Sequence, residues 1–241
     1  MKEAKPRSDQ AFGRDQWLAL HQKQSWMILA ALALLTFRGW TLYREMEAEQ
    51  PISERVSEVR LQEGFTPYEE LPQTYIDAVV AIEDRRFWLH PGVDPISICR
   101  ALARDIKARE WAEGGSTITQ QLAKNLCFDQ DKRLTRKSAE MFAAFALERE
   151  YSKEEIFELY VNDIYFGNGW YCVRDAAEGY FGVSPAEMTD RQCTELACYP
   201  NAPSVFMEEE NEAALEARRQ EVLDRMARYG YLTEEEAAAL R

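Results

Sequence analysis

Two adjacent carboxylates follow an apolar run in the segment AIEDRRFWLHPG, residues 81–92. If the run is helical, Ile76, Val79, Glu83 and Phe87 share one face, because successive residues turn by about 100°. Glu83 then lies near the centre of an apolar stripe and Asp84 at its edge. A carboxylate there is costly unless it is paired or faces a cleft. Glu83 is therefore either a proton acceptor in a cleft or one half of a structural ion pair.

A second candidate segment is EGGSTITQQLAKN, residues 113–125, in which two glycines lead into a predicted helix. Free N–H groups and hydroxyls at a helix N-terminus favour an anionic ligand. The alternative is an ordinary capped helix after a flexible loop, since Thr117 and Gln120 have the spacing of a capping box. The candidate ligand-binding residues are Gly115, Ser116, Thr117, Gln120, Gln121, Lys124 and Asn125.

A third segment, DKRLTRKSAE at residues 131–140, forms a local basic cluster in a chain of net charge -13. Such a cluster is suited to phosphate groups. Glu140 lies three and four residues after Lys137 and Arg136, on the same helix face. It is either an intrahelical salt-bridge partner or a carboxylate that helps to hold a metal ion over a pyrophosphate. The cluster comprises Lys124, Lys132, Arg133, Arg136 and Lys137.

The elements that must position these residues are predicted to be mainly α-helical, in one compact domain. The chain is 46% hydrophobic, proline and glycine are sparse, and alternating strand patterns are few. Helices are predicted from Pro72 to about residue 87, from Thr117, over 134–150, from Ser152 to about residue 161, over 186–198, over 211–228 and at the C-terminus. A short strand is predicted at 54–61, and a turn at 165–171.

The N-terminal region resembles a membrane anchor. Residues 26–37 are apolar apart from Thr36, and the run extends to Tyr43, near the length of about 20 residues that a span requires. Basic residues precede it and acidic residues follow it, so the N-terminus is predicted to be cytoplasmic. The alternative is a soluble packing helix. We predict a cytoplasmic tail at 1–25, an anchor at 26–43, a juxtamembrane segment at 44–65 and a catalytic domain at 66–241.

Composition argues against two classes of site. A nucleic-acid partner is not expected for so acidic a chain. The five cysteines show no CxxC pair or zinc-ligand spacing, and their odd number argues against a fully paired disulfide framework.

The three segments together resemble the peptidoglycan glycosyltransferase family, which comprises monofunctional transglycosylases and modules of class A penicillin-binding proteins. Residues 113–125 match the second family motif, and 153–162 the fourth. The resemblance covers roughly residues 65–235. The sequence departs from the family pattern in three places. Cys172 stands where a glycine is usual, and residues 132–133 stand where a basic residue and a threonine are usual. The segment 198–206 is an altered form of a family segment. The first and third motifs are met by Glu83, Asp84, Phe87, His90, Gly92, Arg136, Lys137 and Glu140.

The resemblance implies a lysozyme-like helical fold and the polymerisation of lipid II. Glu83 would be the general base for inverting transfer, and undecaprenyl pyrophosphate the leaving group. Lys124, Arg136 and Lys137, with Lys132 or Arg133, would stabilise that group. Glu140 would orient these cations and help to hold a divalent cation, Mg²⁺ or Mn²⁺. The resemblance also places Asp84, Phe87 and His90 in the substrate-binding region, with His90 anchoring the turn after the helix.

The expected partners are lipid II, the growing glycan strand, the lipid bilayer and other proteins of cell-wall synthesis or division. The expected location is the plasma membrane, with a single span and an extracytoplasmic catalytic domain. The chain ends soon after residue 240, so we predict a monofunctional enzyme. The alternatives are a lysozyme-like enzyme that cleaves peptidoglycan and a non-catalytic membrane scaffold.

Overall fold

The computed structural model describes residues 14–108, 115–128, 134–201 and 212–241, with side chains left out at 14–20, 102–108 and 201. The described residues contain α-helices, short 3-10 turns and a single isolated bridge between Gly167 and Trp170, and no strand. The prediction of a mainly α fold is confirmed. The helices are α1 (Arg14–Glu49), α2 (Ile52–Arg60), α3 (Gln73–Glu83), α4 (Pro95–Ala108), α5 (Ile118–Cys127), α6 (Leu134–Glu150), α7 (Lys153–Val161), α8 (Val173–Phe181), α9 (Asp190–Leu196), α10 (Glu212–Tyr229) and α11 (Glu234–Leu240).

Helices α5, α6 and α7 begin where the sequence predicts. The side chain of Thr117 caps α5 in a capping box with Gln120, and Ser152 caps α7 in the same way with Glu155. Each box satisfies backbone N–H groups that the first helical turn would otherwise leave unpaired. These boundaries are local properties of the sequence.

Three predicted elements differ from the structure, one of them the helix predicted over 186–198, which is only Asp190–Leu196. The strand at 54–61 is wrong: this segment is α2, whose buried residues Ile52, Val56 and Val59 have helical spacing. Helix α3 ends at Glu83, earlier than predicted, because Asp84 leaves the helical conformation with φ -152° and ψ 76°. Phe87 lies in a separate 3-10 turn. Helices α4 and α8 were not predicted.

Helix α3 is the centre of the core. All its residues from 75 to 82 are buried except Asp77. It packs against α9 and α10, while α5 packs between α6 and α7. The carboxyl end of α3, the N-terminus of α5 and the first turns of α6 therefore belong to one packed framework, and these ends carry the candidate site residues.

Helix α1 has an exposed part and a packed part. It is the one helix in the described residues that is long and apolar enough to cross a membrane, and its apolar residues from Trp26 to Leu34 are exposed. From Gly39 onward it packs against α6, where Tyr43 and Met46 are buried. The rings of Trp40 and Tyr43 lie 5.2 and 6.3 Å from the ring of Phe142. The predicted anchor is therefore continuous with a helix that joins the core of the domain.

Candidate active site

Glu83 lies at the last turn of α3, with its side chain 14% exposed. The amide of Gln121 in α5 donates a hydrogen bond of 2.8 Å to Oε2 of Glu83. The guanidinium of Arg218 in α10 lies 3.8 Å from Oε1. Helices α5 and α10 thus fix the Glu83 carboxylate from two sides, in an accessible position and not in a closed core pair.

Gln121 is itself oriented by a neighbour. The hydroxyl of Tyr160 in α7 donates to Oε1 of Gln121 at 3.3 Å, which leaves the amide nitrogen to face Glu83. Burial, together with the nearby carboxylate of Glu83, raises the pKa of Tyr160 well above its ordinary value. The phenol therefore remains a neutral donor at physiological pH and holds the amide in this orientation.

Asp84 and His90 support the turn that follows Glu83. Asp84 is buried, and its Oδ2 bonds to Nε2 of His90 at 2.8 Å and accepts the backbone N–H of Ile118 at 3.1 Å. These bonds join the end of α3 to the start of α5. Phe87 is fully buried, with its ring 6.2 Å from that of Phe157. All three side chains lie beneath the site and hold Glu83 in place by contacts within the protein.

The start of α5 divides into buried and accessible residues. Thr117 and Gln120 are buried and form the capping box, and the Thr117 hydroxyl also donates to the carbonyl of Gly92. Gly115 and Ser116 are half-buried. Ser116 accepts a 2.8 Å hydrogen bond from the ammonium of Lys137 in α6. This bond brings the start of α5 and the first turn of α6 together.

The cations of α6 converge on one buried carboxylate. Glu140 is fully buried, and its oxygens lie 3.0 Å from Nη1 of Arg136 and 2.8 Å from Nζ of Lys137. The Lys137 side chain is half exposed, so its ammonium can face a ligand as well. A buried carboxylate that faces two cations fixes their positions. This arrangement is the salt-bridge alternative raised for Glu140, and the metal-holding role stays a prediction.

The remaining predicted residues lie along α5 or outside the described residues. Lys124 is half-buried and Asn125 is exposed, one turn beyond Gln121. The Asn125 amide donates to the carbonyl of Asp163 at 3.2 Å. Lys132 and Arg133 lie outside the described residues.

A residue of the candidate site that sequence reasoning missed is Arg218. It belongs to an ion-pair network on α10, in which Glu221 contacts Arg218 at 2.7 Å and Arg225 at 2.5 Å. Arg225 donates to the carbonyl of Ile82 at 2.8 Å, immediately before Glu83. The helical spacing of the three residues indicates a charged helix face, but it gives no sign that this face meets α3.

The described residues contain no group of three or more histidine, cysteine, aspartate or glutamate side chains that could hold a metal ion. Glu140 is a single carboxylate that already faces two cations. It fits a cation only as one ligand among others that a substrate would supply.

The site therefore combines a positioned carboxylate with a separate group of cations. Glu83 can accept a proton from a hydroxyl, and Arg136 and Lys137 can stabilise negative charge on a phosphate-bearing group. Gln121 on α5 contacts Glu83, and Ser116 just before α5 contacts Lys137, so this segment connects the two parts.

The chain is similar in sequence to known proteins of one family. A family model described as Transglycosylase matches residues 49–227. The chain is 41% identical to penicillin-binding protein 1F of Bacillus subtilis over 168 residues, which are 70% of this chain and 24% of that protein. It is 38% identical to penicillin-binding protein 1A of Aquifex aeolicus over 199 residues, which are 82% of this chain and 27% of that protein. The chain thus spans about a quarter of the length of these relatives.

A relative of similar length is also found. A Cupriavidus necator protein that carries the provisional name transglycosylase is 34% identical over 216 residues, which are 88% of this chain and 93% of that protein. The family model covers most of the chain, and this relative matches it almost from end to end. The chain therefore belongs to the peptidoglycan glycosyltransferase, or transglycosylase, family of enzymes.

Proposed function

We propose that this protein polymerises lipid II into β-1,4-linked glycan strands and releases undecaprenyl pyrophosphate. The observation that carries the proposal is the carboxylate of Glu83, held by Gln121 of α5, while Ser116 just before the same helix holds Lys137 of α6. A transfer that displaces a pyrophosphate needs one proton acceptor and one anion-stabilising group. The site has one of each.

In the proposed reaction, Glu83 takes the proton of the 4-hydroxyl of the acceptor's terminal sugar. The oxygen forms a bond to the anomeric carbon of the lipid-linked strand from the face opposite the leaving group. The bond from that carbon to the pyrophosphate oxygen breaks with its electron pair, so the anomeric configuration inverts. A single displacement of this kind needs no second carboxylate as nucleophile.

The leaving group gains negative charge as this bond breaks, and cations at that point lower the barrier. We assign this role to Lys124, Arg136 and Lys137, with Lys132 or Arg133 beside them. Glu140 holds Arg136 and Lys137 in position. A divalent cation, when bound, would neutralise the pyrophosphate; we propose that the substrate supplies most of its ligands and Glu140 the protein's share.

The substrate's polyprenyl chain stays in the bilayer, so the enzyme must work at the membrane surface. We propose that α1 spans the plasma membrane with its N-terminus in the cytoplasm and the catalytic domain outside. The basic residues before the span and the acidic residues after it support this orientation. The match to the Cupriavidus necator relative, which covers 93% of that protein, supports a monofunctional enzyme.

The proposal is tested by incubating the purified full chain with lipid II in detergent or liposomes, with Mg²⁺ or Mn²⁺ and with a chelator. With the divalent cation we expect long glycan strands that lysozyme digests, and with the chelator we expect less polymer. Cleavage of preformed glycan without polymerisation would instead indicate a lysozyme-like hydrolase. Binding to lipid II with neither reaction would indicate a scaffold.

A further inference from the structure

We propose that the buried guanidinium of Arg219 is a positioning group for the active site, which sets the rotation of α10 about its axis and thereby holds Arg218 against Glu83. This inference rests on the proposed role of Glu83 as the proton acceptor. It also connects the site to the C-terminal helix α11, on which Arg219 makes its contacts.

The side chain of Arg219 is 1% exposed, and its guanidinium makes four hydrogen bonds. Nε and Nη2 donate to the two carboxylate oxygens of Glu216, at 3.0 and 2.7 Å. Nη1 donates to the backbone oxygen of Leu240 at 2.6 Å, and Nη2 also donates to that of Arg241 at 3.1 Å. The side chain of Arg241 in turn pairs with Asp224 of α10. One buried cation thus holds the end of α11 on α10.

Orientation explains this buried cation better than stability does. The last carbonyls of a helix have no partner within it and attract positive charge, so the end of α11 is a suitable acceptor for Arg219. A buried ion pair is often no more stabilising than apolar side chains of the same volume. Its hydrogen bonds are directional, however, and a guanidinium that forms several of them has only one orientation.

The apolar contacts of α10 do not by themselves fix its rotation, because hydrophobic burial is non-directional. The buried apolar residues of this helix are Val222, Leu223 and Met226. Directional bonds are found around Arg219 instead. Its partner Glu216 also lies 3.4 Å from Arg191 of α9, and α9 packs on α3. The polar contacts of Arg219 and Glu216 therefore join α10 to both α9 and α11.

Rotation of α10 matters because the neighbouring residue, Arg218, points to Glu83. Consecutive residues of a helix differ in direction by about 100°, so fixing Arg219 also fixes the direction of Arg218. Side-chain ends lie roughly 6 Å from the helix axis, so a rotation of about 20° would displace them by about 2 Å. Nη2 of Arg218 already lies 3.8 Å from Oε1 of Glu83, and such a displacement would end the contact. Arg225 lies two turns further on the same face and would leave the carbonyl of Ile82, to which it donates.

The test measures kcat and KM for lipid II with the full chain. Arg219→Met keeps the length of the side chain and removes its charge and its hydrogen bonds. We expect kcat to fall by about twofold to tenfold with little change in KM, because the contact of Arg218 with Glu83 is lost. Arg219→Lys keeps a charge that can reach the end of α11, so it should recover part of the loss. Arg228 is exposed on the same helix, and the matched control Arg228→Met should change neither kcat nor the melting temperature.

A double-mutant cycle distinguishes positioning from a general structural role. If Arg219 acts through Arg218, Arg219→Met should cause no further loss of kcat in the Arg218→Ala background. An unchanged kcat in Arg219→Met, or losses that multiply in the double variant, would overturn the proposal. If Arg219→Met does not fold, the same cycle is measured with Arg219→Lys, and the same two results decide.

Crystal structures of the wild type and the two Arg219 variants give a result that does not depend on activity. The distance between the guanidinium of Arg218 and the carboxylate of Glu83 should exceed about 4 Å in Arg219→Met and be shorter in Arg219→Lys. If the wild type does not polymerise lipid II, the proposed reaction fails, and this distance still tests the positioning. A distance that is the same in the wild type and in Arg219→Met would overturn the positioning, whether or not the wild type polymerises lipid II.

Discussion

The packing of α1 on α6 can be tested by replacing Gly39 with alanine. The added Cβ would lie 2.3 Å from Oγ, 2.5 Å from Cβ and 2.9 Å from the carbonyl carbon of Ser138. The hydroxyl can rotate away, but the Cβ and the carbonyl carbon cannot. Because carbon atoms pack best at about 3.5–4.0 Å, the helices must separate by roughly 1 Å at this point.

Two opposing effects set the magnitude. Overpacking of this kind costs about 1–3 kcal/mol. Alanine is favoured over glycine in a helix by about 1 kcal/mol, so the substitution would stabilise α1 if the space were open. We expect a net loss of up to about 2 kcal/mol, which lowers the melting temperature by up to roughly 8 °C. The measurement is thermal unfolding of the full chain in detergent.

Ser138→Gly provides the matched control, because it removes two of the three close atoms. The glycine itself should cost about 1 kcal/mol in the interior of α6. In the double variant, the two losses should be clearly less than additive, since the contact they share has gone. A rise in melting temperature for Gly39→Ala, or additive losses in the double variant, would refute the packing described for α1.

Three further substitutions test the site and its surroundings. Glu140→Gln should slow turnover strongly. It should also lower the free energy of unfolding by up to about 3 kcal/mol, because the largely buried Arg136 loses its charged partner. The turnover rate and the melting temperature, measured on the same protein, check both expectations. Arg218→Ala should lower kcat more than it changes KM, with partial recovery in Arg218→Lys, because Arg218 contacts Glu83 and lies outside the cation group of α6. Burial raises the pKa of Asp163 to about 7 from 3.8, so the wild type should lose stability as pH rises between these values. Asp163→Asn should therefore have a higher melting temperature than the wild type at about pH 8 but not at about pH 4. If the two proteins had the same melting temperature at both pH values, the raised pKa of Asp163 would be contradicted.

Local signals explain what the sequence predicted well. The starts of α5 and α7 and the pairing of Glu140 with Arg136 and Lys137 depend on residues within about one helical turn of each other. Such contacts follow from spacing alone. The roles of the predicted site residues stay predictions. The structure shows that Gln121 contacts Glu83 and that Lys137 contacts Ser116.

Long-range contacts explain the structural features that the sequence did not predict. Helix α3 ends at Glu83 because Asp84 turns to His90 and to the N–H of Ile118, which is 34 residues away. Arg218 and Arg225 reach the end of α3 from α10, and Arg225 is 143 residues from its acceptor at Ile82. The segment 54–61 has apolar residues that fit both a short strand and a helix, and its packing on the core decides for the helix.

The central claim is that Glu83 takes the proton from the attacking hydroxyl, and the most direct measurement compares glycan synthesis by the wild type and by Glu83→Gln. Glutamine keeps the size of the side chain and removes its basicity, and the exposed Glu54→Gln serves as a control for charge. We expect the wild type and the control to polymerise lipid II at similar rates. Glu83→Gln should bind lipid II and keep its melting temperature but form no polymer. Polymerisation by Glu83→Gln at a rate near that of the wild type would contradict the account.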